Sequence, residues 1–293
     1  MHVFVTGATG FIGSRIVNVL LSRGHTVLAL VRNPAKAATI ESKPGVTIHT
    51  GSLTDLESLK AGALAADGVI HTAFVHDFSK FEENIALDVA AIKTMTEVLK
   101  GTSKPFVSTS TPLVADPRKV ITETDRAQVV NSPGRGPAEN LVLKSAADGV
   151  RSSIVRVPVV HGENDQNLLP SLCKIAKEKK IAAYSGTGSN RWPAVEVNDA
   201  ALVFVLALEK GTPGSVYHAI AEQGIEFHEI ATAIGKKYKL EVKSIPREEA
   251  GGYYGGLAGF AGFNFVASSE ITQKELGWTP KGDGIIANIG KYY

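Results

Sequence analysis

The sequence predicts an α/β protein: an open, doubly wound parallel sheet with a small C-terminal α/β domain. Three observations predict it. Short β-rich runs alternate with helical stretches through the first 160 residues, and apolar strands alternating with helices make a parallel sheet covered on both faces. A glycine turn, TGATGFIG (6–13), joins the first run to the first helix. Past Val160 the rhythm loosens into shorter strands among helices.

The elements follow in order. HVFVT (2–6) is a strand, and FIGSRIVNVLLSRG (11–24) sets Ile12, Ile16, Val19 and Leu20 at helical spacing before stopping at Gly24. TVLALV (26–31), VTIHT (46–50), GVIHTA (68–73), PFVST (105–109) and SSIVRV (152–157) read as further strands. DLESLKAGALAAD, FEENIALDVAAIKTMTEVLKG and PAENLVLKSAADG are helices that separate most of them. Right-handed crossovers then favour the doubly wound order. In the second half IAAYSG, PAVEV and SVYHAI are short strand candidates, with helices at 167–178, 199–210 and 227–237. GGYYGGLAGFAGF (251–263) combines glycine and aromatics without a period, and no repeat runs through the chain. Residues 1–160 with 196–222 are expected to form the dinucleotide-binding Rossmann domain, and 161–195 with 223–293 the substrate-binding subdomain.

Bulk properties exclude several classes. The net charge is +2, from 31 basic and 29 acidic residues, which gives no support for a nucleic-acid or anionic-membrane partner. A single cysteine, Cys173, rules out an internal disulfide and fits a reducing compartment. The eight histidines show no tight ligand spacing, so no metal is expected. No secretory signal precedes the glycine motif, and the longest apolar run, AALVFVLAL, is far short of the ~18 residues of a membrane span. The reading is a cytoplasmic protein.

The glycine turn carries the chemistry. Gly7 permits the tight turn, Gly10 lets a pyrophosphate approach the backbone, and Gly13 lets helix and strand pack closely. The helix N-terminus offers N–H groups and a positive dipole to phosphate. An acid after the second strand would mark NAD, and an arginine there accommodates a 2′-phosphate. Here Arg32 and Lys36 stand in LVRNPAKA, with no carboxylate before Glu41. Either the two cations clamp a 2′-phosphate or they are solvated surface charges; NADP(H) is favoured over NAD(H).

These motifs resemble the short-chain dehydrogenase/reductase superfamily, in its extended and atypical, NAD-dependent epimerase/dehydratase-like branches. TGATGFIG looks like TGxxGxxG, DGVIHTA like the fourth strand that lines the cofactor, and FVSTSTPLV like the strand carrying the catalytic serine or threonine. IVRVPVVHG (154–162), NRWPAVEVNDAA (190–201) and SSEITQKELGWTP (268–280) are similar to later family segments, so the likeness runs almost end to end. It implies that Gly7, Thr9, Gly10, Phe11, Ile12 and Gly13 cradle the cofactor. By the same likeness, Ser52 and Leu53 adjoin its adenine, and Thr72, Ala73, Phe74, Pro158 and Val159 line it toward the nicotinamide. Members often pair through helices like 81–100 and 134–149, which implies a homodimer.

The departures bear on mechanism. Counting back from Glu139, Asn131 stands in the place of the family's tyrosine and Arg135 in the place of its lysine, and no YxxxK occurs elsewhere. Ser52 replaces a usual aspartate, and Glu196 stands where histidine is common. Arg135 can hold ribose hydroxyls as the lysine does, but it supplies no proton near neutrality. Asn131 and Thr111 can donate hydrogen bonds to a developing alkoxide. His76 is the best-placed ionisable group for protonation, or else a loop histidine on the surface or hydrogen-bonded to Asp77; Asn131 and Arg135 are either reacting groups or a binding shell. Val160, His161, Trp192 and Tyr253 are expected to line an apolar substrate pocket, and the 251–263 loop is either pocket wall or lid. The leading expectation is an NADP(H)-dependent reductase of small carbonyl compounds. A non-catalytic dinucleotide sensor like the NmrA-type regulators and a nucleotide-sugar epimerase or dehydratase are the alternatives.

Overall fold

The computed structural model describes residues 1–128 and 134–293, with the backbone alone at 34, 36, 39 and 78. The chain opens with β1 (His2–Thr6), α1 (Phe11–Ser22), β2 (Thr26–Val31), α2 (Pro34–Glu41), β3 (Val46–Thr50), α3 (Leu56–Ala65) and β4 (Gly68–His71). It continues through α4 (Phe81–Val98), β5 (Pro105–Ser110), β6 (Val120–Ile121), α5 (Gly136–Ser145), β7 (Arg151–Arg156), β8 (Val159–His161), α6 (Leu168–Lys179) and β9 (Ile181–Ser185). Then come β10 (Arg191–Glu196), α7 (Val197–Lys210), β11 (Ser215–His218), β12 (Glu222–Glu226), α8 (Phe227–Tyr238) and β13 (Glu241–Ile245). The tail holds α9 (Ala250–Tyr254), α10 (Ala258–Ala261), β14 (Val266–Ala267), α11 (Glu270–Leu276) and α12 (Ile285–Tyr292).

Seven strands form one parallel sheet in the order β3-β2-β1-β4-β5-β7-β11. Strand alternation decides which layer each side chain joins. Val3, Val5, Val27, Ala29, Ile70, Val107, Val155 and Tyr217 meet α1 and α7, whose Ile16, Val17, Leu20, Phe204 and Leu208 complete that core. Phe4, Leu28, Leu30, Val69, Phe106, Ile154 and Val216 face α3, α4 and α5 on the other side. Each fully buried Val, Leu, Ile or Phe contributes about 1.5–3 kcal/mol, so the two-sided sheet dominates stability.

From β1 the chain winds outward to β3 and then returns to β4 on the other side of β1. This reversal opens a crevice at the carboxyl ends of β1 and β4, where ligands of such sheets sit. Three small sheets lie outside the main one: β12-β10-β8, β13-β9 and β14-β6. The first two pack with α6, α8 and α12 around Leu172, Trp192, Phe227, Ile230, Ile285 and Ile289, while β14-β6 closes on Ala115, Ile220 and Phe265.

The six strands expected in the first half are present, and SVYHAI supplies the seventh, β11, beside β7. The glycine-aromatic stretch 251–263 forms short helical turns, α9 and α10 among them, with Tyr254 and Ala261 buried. Among the described residues no helix is long and apolar enough to cross a membrane, and no cluster of His, Cys, Asp and Glu could hold a metal ion.

Candidate active site

The glycine turn is as tight as its sequence demands. Gly7 has φ of +73°, and a Cβ there would lie 2.8 Å from both Ala73 N and Thr72 Oγ1. A Cβ on Gly13 would stand 2.0 Å from Gly7 O, because α1 begins directly against the turn. Gly10 is the N-cap of α1, with no side-chain cap and no acid in the first turn. The first-turn N–H groups therefore face outward with the positive dipole end uncompensated, as an anion site requires. Thr9 lies in the turn, and Phe11 and Ile12 start the helix half-buried. These residues fit the pyrophosphate of a dinucleotide.

A parallel sheet ends all its strands on one side, so the residues that follow them share one rim. Arg32 follows β2, exposed and without an ion pair among the described residues. Asn33 accepts from Ala35 N to cap α2, which carries Lys36; the Lys36 side chain lies outside the described residues. Beyond β3, the Ser52 hydroxyl bonds that of Thr54 at 2.8 Å, and Leu53 packs on the core. After β4, Thr72 donates its hydroxyl to Thr6 O (2.8 Å) and Ala73 N donates to Thr6 Oγ1 (3.3 Å), which ties this segment to the cradle. Pro158 and Val159 continue from β7, half-buried.

Arg135 stands at the N-cap of α5 and reaches back across this rim. Its Nη1 donates to Thr109 O at 2.8 Å, and its Cζ lies 4.1 Å from the Phe74 ring centroid. His76 packs edge-on against the same ring, with centroids 5.3 Å apart. Phe74 thus has Arg135 and His76 as immediate neighbours. Burial pushes the Arg135 pKa down and the charge of Asp88 opposes it; arginine starts so far above neutrality that it stays a cation. The pKa of His76 is lowered, first by desolvation, then by the Arg135 charge, while a bond with the Phe74 backbone opposes the shift. Thr111 caps the short turn 112–114, its hydroxyl oxygen accepting from Leu113 N at 3.4 Å. Asn131 lies outside the described residues.

Beneath the rim are groups that sequence reasoning did not single out. The His71 ring bonds Thr6 Oγ1 through Nδ1 (2.7 Å) and Asp88 Oδ1 through Nε2 (3.1 Å), all three buried. Asp88 Oδ2 is buried without a partner among the described residues. Farther along, Arg156 grips Glu139 of α5 through Nε (3.1 Å) and Nη2 (2.5 Å), and Nη2 also donates to Asp125 O. Its Nη1 lies 3.3 Å from His218 Nε2. This network fixes the helix that begins at Arg135. A signal was present for both: Asp88 interrupts the apolar spacing of Ile85, Ile92 and Met95, and Arg156 a valine-rich strand.

Of the expected substrate residues, Trp192 and His161 are closed off inside the protein, which departs from the expectation that they line an open pocket. Trp192 is 1% exposed and packs edge-on against Phe227 inside the C-terminal core. His161 is fully buried and bonds Asn288 through Nδ1 at 2.8 Å. The Tyr253 hydroxyl donates to Ile181 O and accepts from Ala183 N, while Tyr254 donates to Ala183 O. The tyrosine pair thus satisfies the free edge of β9, and Tyr253 also borders a cavity with Lys179, Ile181, Lys243 and Glu248. Val160 is half-buried beside the core of the main sheet, and Tyr253 is half-buried against the C-terminal core. Glu196 has a local purpose: it caps α7 by accepting from Asn198 N and Asp199 N.

Comparison with known proteins agrees with this architecture. A Schizosaccharomyces pombe protein of uncharacterized function is 46% identical over 291 residues, covering 99% of this chain and 98% of that one. A Stigmatella aurantiaca protein, the 4-hydroxy-2-methyl-3-oxo-4-farnesyl-3,4-dihydroquinoline-1-oxide ketoreductase, is 26% identical over 262 residues, covering 85% of this chain and 78% of that one. The dTDP-glucose 4,6-dehydratase of Streptomyces venezuelae, solved with NAD and TYD bound, superposes with a TM-score of 0.80 at 18% identity over 99% of this chain and 95% of that one. That likeness is one of fold. The sequence model of the NAD dependent epimerase/dehydratase family matches residues 3–220, most of the chain, and the protein belongs to that family.

Proposed function

We propose that the protein is an NADP(H)-dependent oxidoreductase that reduces small aldehydes or ketones through an altered active site. The observation that carries this reading is Arg135, a cation held on the Phe74 ring and Thr109 O beside an uncapped, glycine-lined helix N-terminus. One guanidinium nitrogen is committed to Thr109, and the other N–H groups are suited to ribose hydroxyls. Arg32, exposed and unpaired among the described residues, suits a 2′-phosphate. A bound dihydronicotinamide would supply the hydride; the chain supplies orientation and hydrogen bonds. Thr111 and Asn131 are the donors assigned to the carbonyl oxygen, where charge develops. The similarity to a ketoreductase supports a carbonyl substrate.

The seven tyrosines stand away from this role. Tyr217, Tyr253, Tyr254 and Tyr293 bond backbone groups at Thr212, Ile181, Ala183 and Gly162, while Tyr184, Tyr238 and Tyr292 pack with His228, Lys177 and Lys291. That observation also favours a second reading, a sensor that binds the dinucleotide and consumes none. NADPH and NADH oxidation across short and aromatic aldehydes separates the two. Turnover with NADPH that falls in Arg135→Ala supports the reductase, whereas tight binding without oxidation of either cofactor would sink it.

A further inference from the structure

We propose that His76 is the proton-transfer group of this site, replacing the tyrosine of the family pattern. The inference rests on the reductase reading and deepens it. Its basis is placement. Phe74 lies two residues beyond Thr72, on the segment bonded to the cradle at Thr6, and its ring has Arg135 against it at 4.1 Å and His76 at 5.3 Å. The imidazole is thereby held on the same short segment as the residues assigned to the cofactor, and His76 is exposed to solvent. Among the described residues it is the exposed imidazole at this spot; His71 lies buried beneath, bonded to Thr6 and Asp88, and the tyrosines bond or pack elsewhere.

Its charged surroundings set its behaviour. From α5, Arg135 lowers the pKa of His76, adding to the effect of desolvation. On its own segment, Asp77 accepts from Ser79 N and Oγ and caps the turn carrying Lys80. Below, Asp88 of α4 acts on Arg135 and bonds His71. A lowered pKa makes the imidazolium a stronger but scarcer acid, and leaves more of the ring neutral as a weaker base.

The step balances. As the carbonyl carbon receives its hydride, the C=O π pair moves to oxygen. That oxygen forms an O–H bond with the imidazolium proton, and the broken N–H pair stays on nitrogen. Solvent then reprotonates the ring, since His76 is exposed. In the reverse direction the neutral imidazole takes the alcohol proton as hydride leaves for the oxidised cofactor. Reduction therefore falls as pH rises through the His76 pKa, and alcohol oxidation rises through the same point.

Two measurements test this. An NMR titration of the imidazole in the cofactor-free protein is expected to place the His76 pKa below 6.5, and Arg135→Ala to move it up. In parallel, kcat/KM is measured for both directions between pH 5 and 8 in wild type and His76→Gln, with NADPH affinity by fluorescence. The expected result is opposite pH limbs sharing one inflection, and about a 100-fold loss in His76→Gln that flattens both, with cofactor affinity kept. Wild-type turnover matched by His76→Gln in rate and pH profile overturns this assignment and leaves the reductase standing. No turnover by the wild type overturns both. An inflection unrelated to the titrated pKa also overturns the assignment.

Discussion

Gly13 and Arg32 bring the cofactor question down to single atoms. At Gly13 a methyl group would stand 2.0 Å from Gly7 O, a backbone atom that cannot swing aside. Gly13→Ala is expected to separate helix from turn, destabilise the protein by about 1–3 kcal/mol or more, and abolish NADPH binding in a fluorescence titration. Wild-type affinity in that variant would mean that the cradle is not the phosphate site. Arg32 has no ion pair among the described residues, so its replacement removes little from the fold. Arg32→Ala is expected to weaken NADPH by roughly 10–100-fold, the worth of a hydrogen bond to a charged group, with NADH unchanged. Equal affinities of wild type and variant for both cofactors would assign Arg32 to solvent.

Whole elements are joined by buried polar contacts. Glu139 and Arg156 are fully buried, and their pairing locks α5 to β7. Glu139→Gln leaves a buried guanidinium uncompensated, and a loss of about 3–5 kcal/mol is expected in urea denaturation; a change below 1 kcal/mol would show that the pair is dispensable. His218, beside Arg156, has its pKa pushed down to about 3, by burial first and by the Arg156 charge second, with Ser268 O opposing. The unfolded ring takes a proton below about pH 6.5 and the folded one does not. Stability should therefore fall as pH drops from about 6.5 toward 3, at up to ~1.4 kcal/mol per pH unit. Equilibrium unfolding of His218→Gln should lack that component between pH 6.5 and 5, above the main carboxylate range. Elements of this kind were only partly legible in the sequence. The main strands announced themselves because both faces are buried, as in TVLALV, and α8 because its apolar stripe is clean. β12, EQGIE, carries no strand pattern and exists through its pairing with β10. The turns at 251–263 defy any period, since buried Tyr254 and Ala261 hold them, not local propensity. His76 and Arg135 were visible as residue types, but their meeting on Phe74 depends on the chain returning from β5 to α5.

At the scale of the molecule, Asp199 of α7 is one of three carboxylates, with Glu123 and Glu222, that fasten the C-terminal tail to the rest of the fold. Asp199 Oδ2 accepts from Lys281 N (2.8 Å) and Gly282 N (2.7 Å), and Trp278 Nε1 donates to the Asp199 carbonyl at 3.2 Å. Asp199→Ala is expected to lose about 2–3 kcal/mol and to raise hydrogen exchange at 281–289 before the main sheet responds. Exchange unchanged there would place the anchoring in Trp278 and Ile285 burial alone. The common rim of the seven strands has one more consequence. Arg32, Ser52, Phe74, His76, Thr111 and Arg135 all follow or border strand ends, and none belongs to the two apolar layers that hold the sheet. Exposed members of the rim such as Arg32 and His76 can therefore be exchanged without opening either apolar layer. A lineage exploring new chemistry on this scaffold is free to vary the rim while the two apolar layers beneath it stay still.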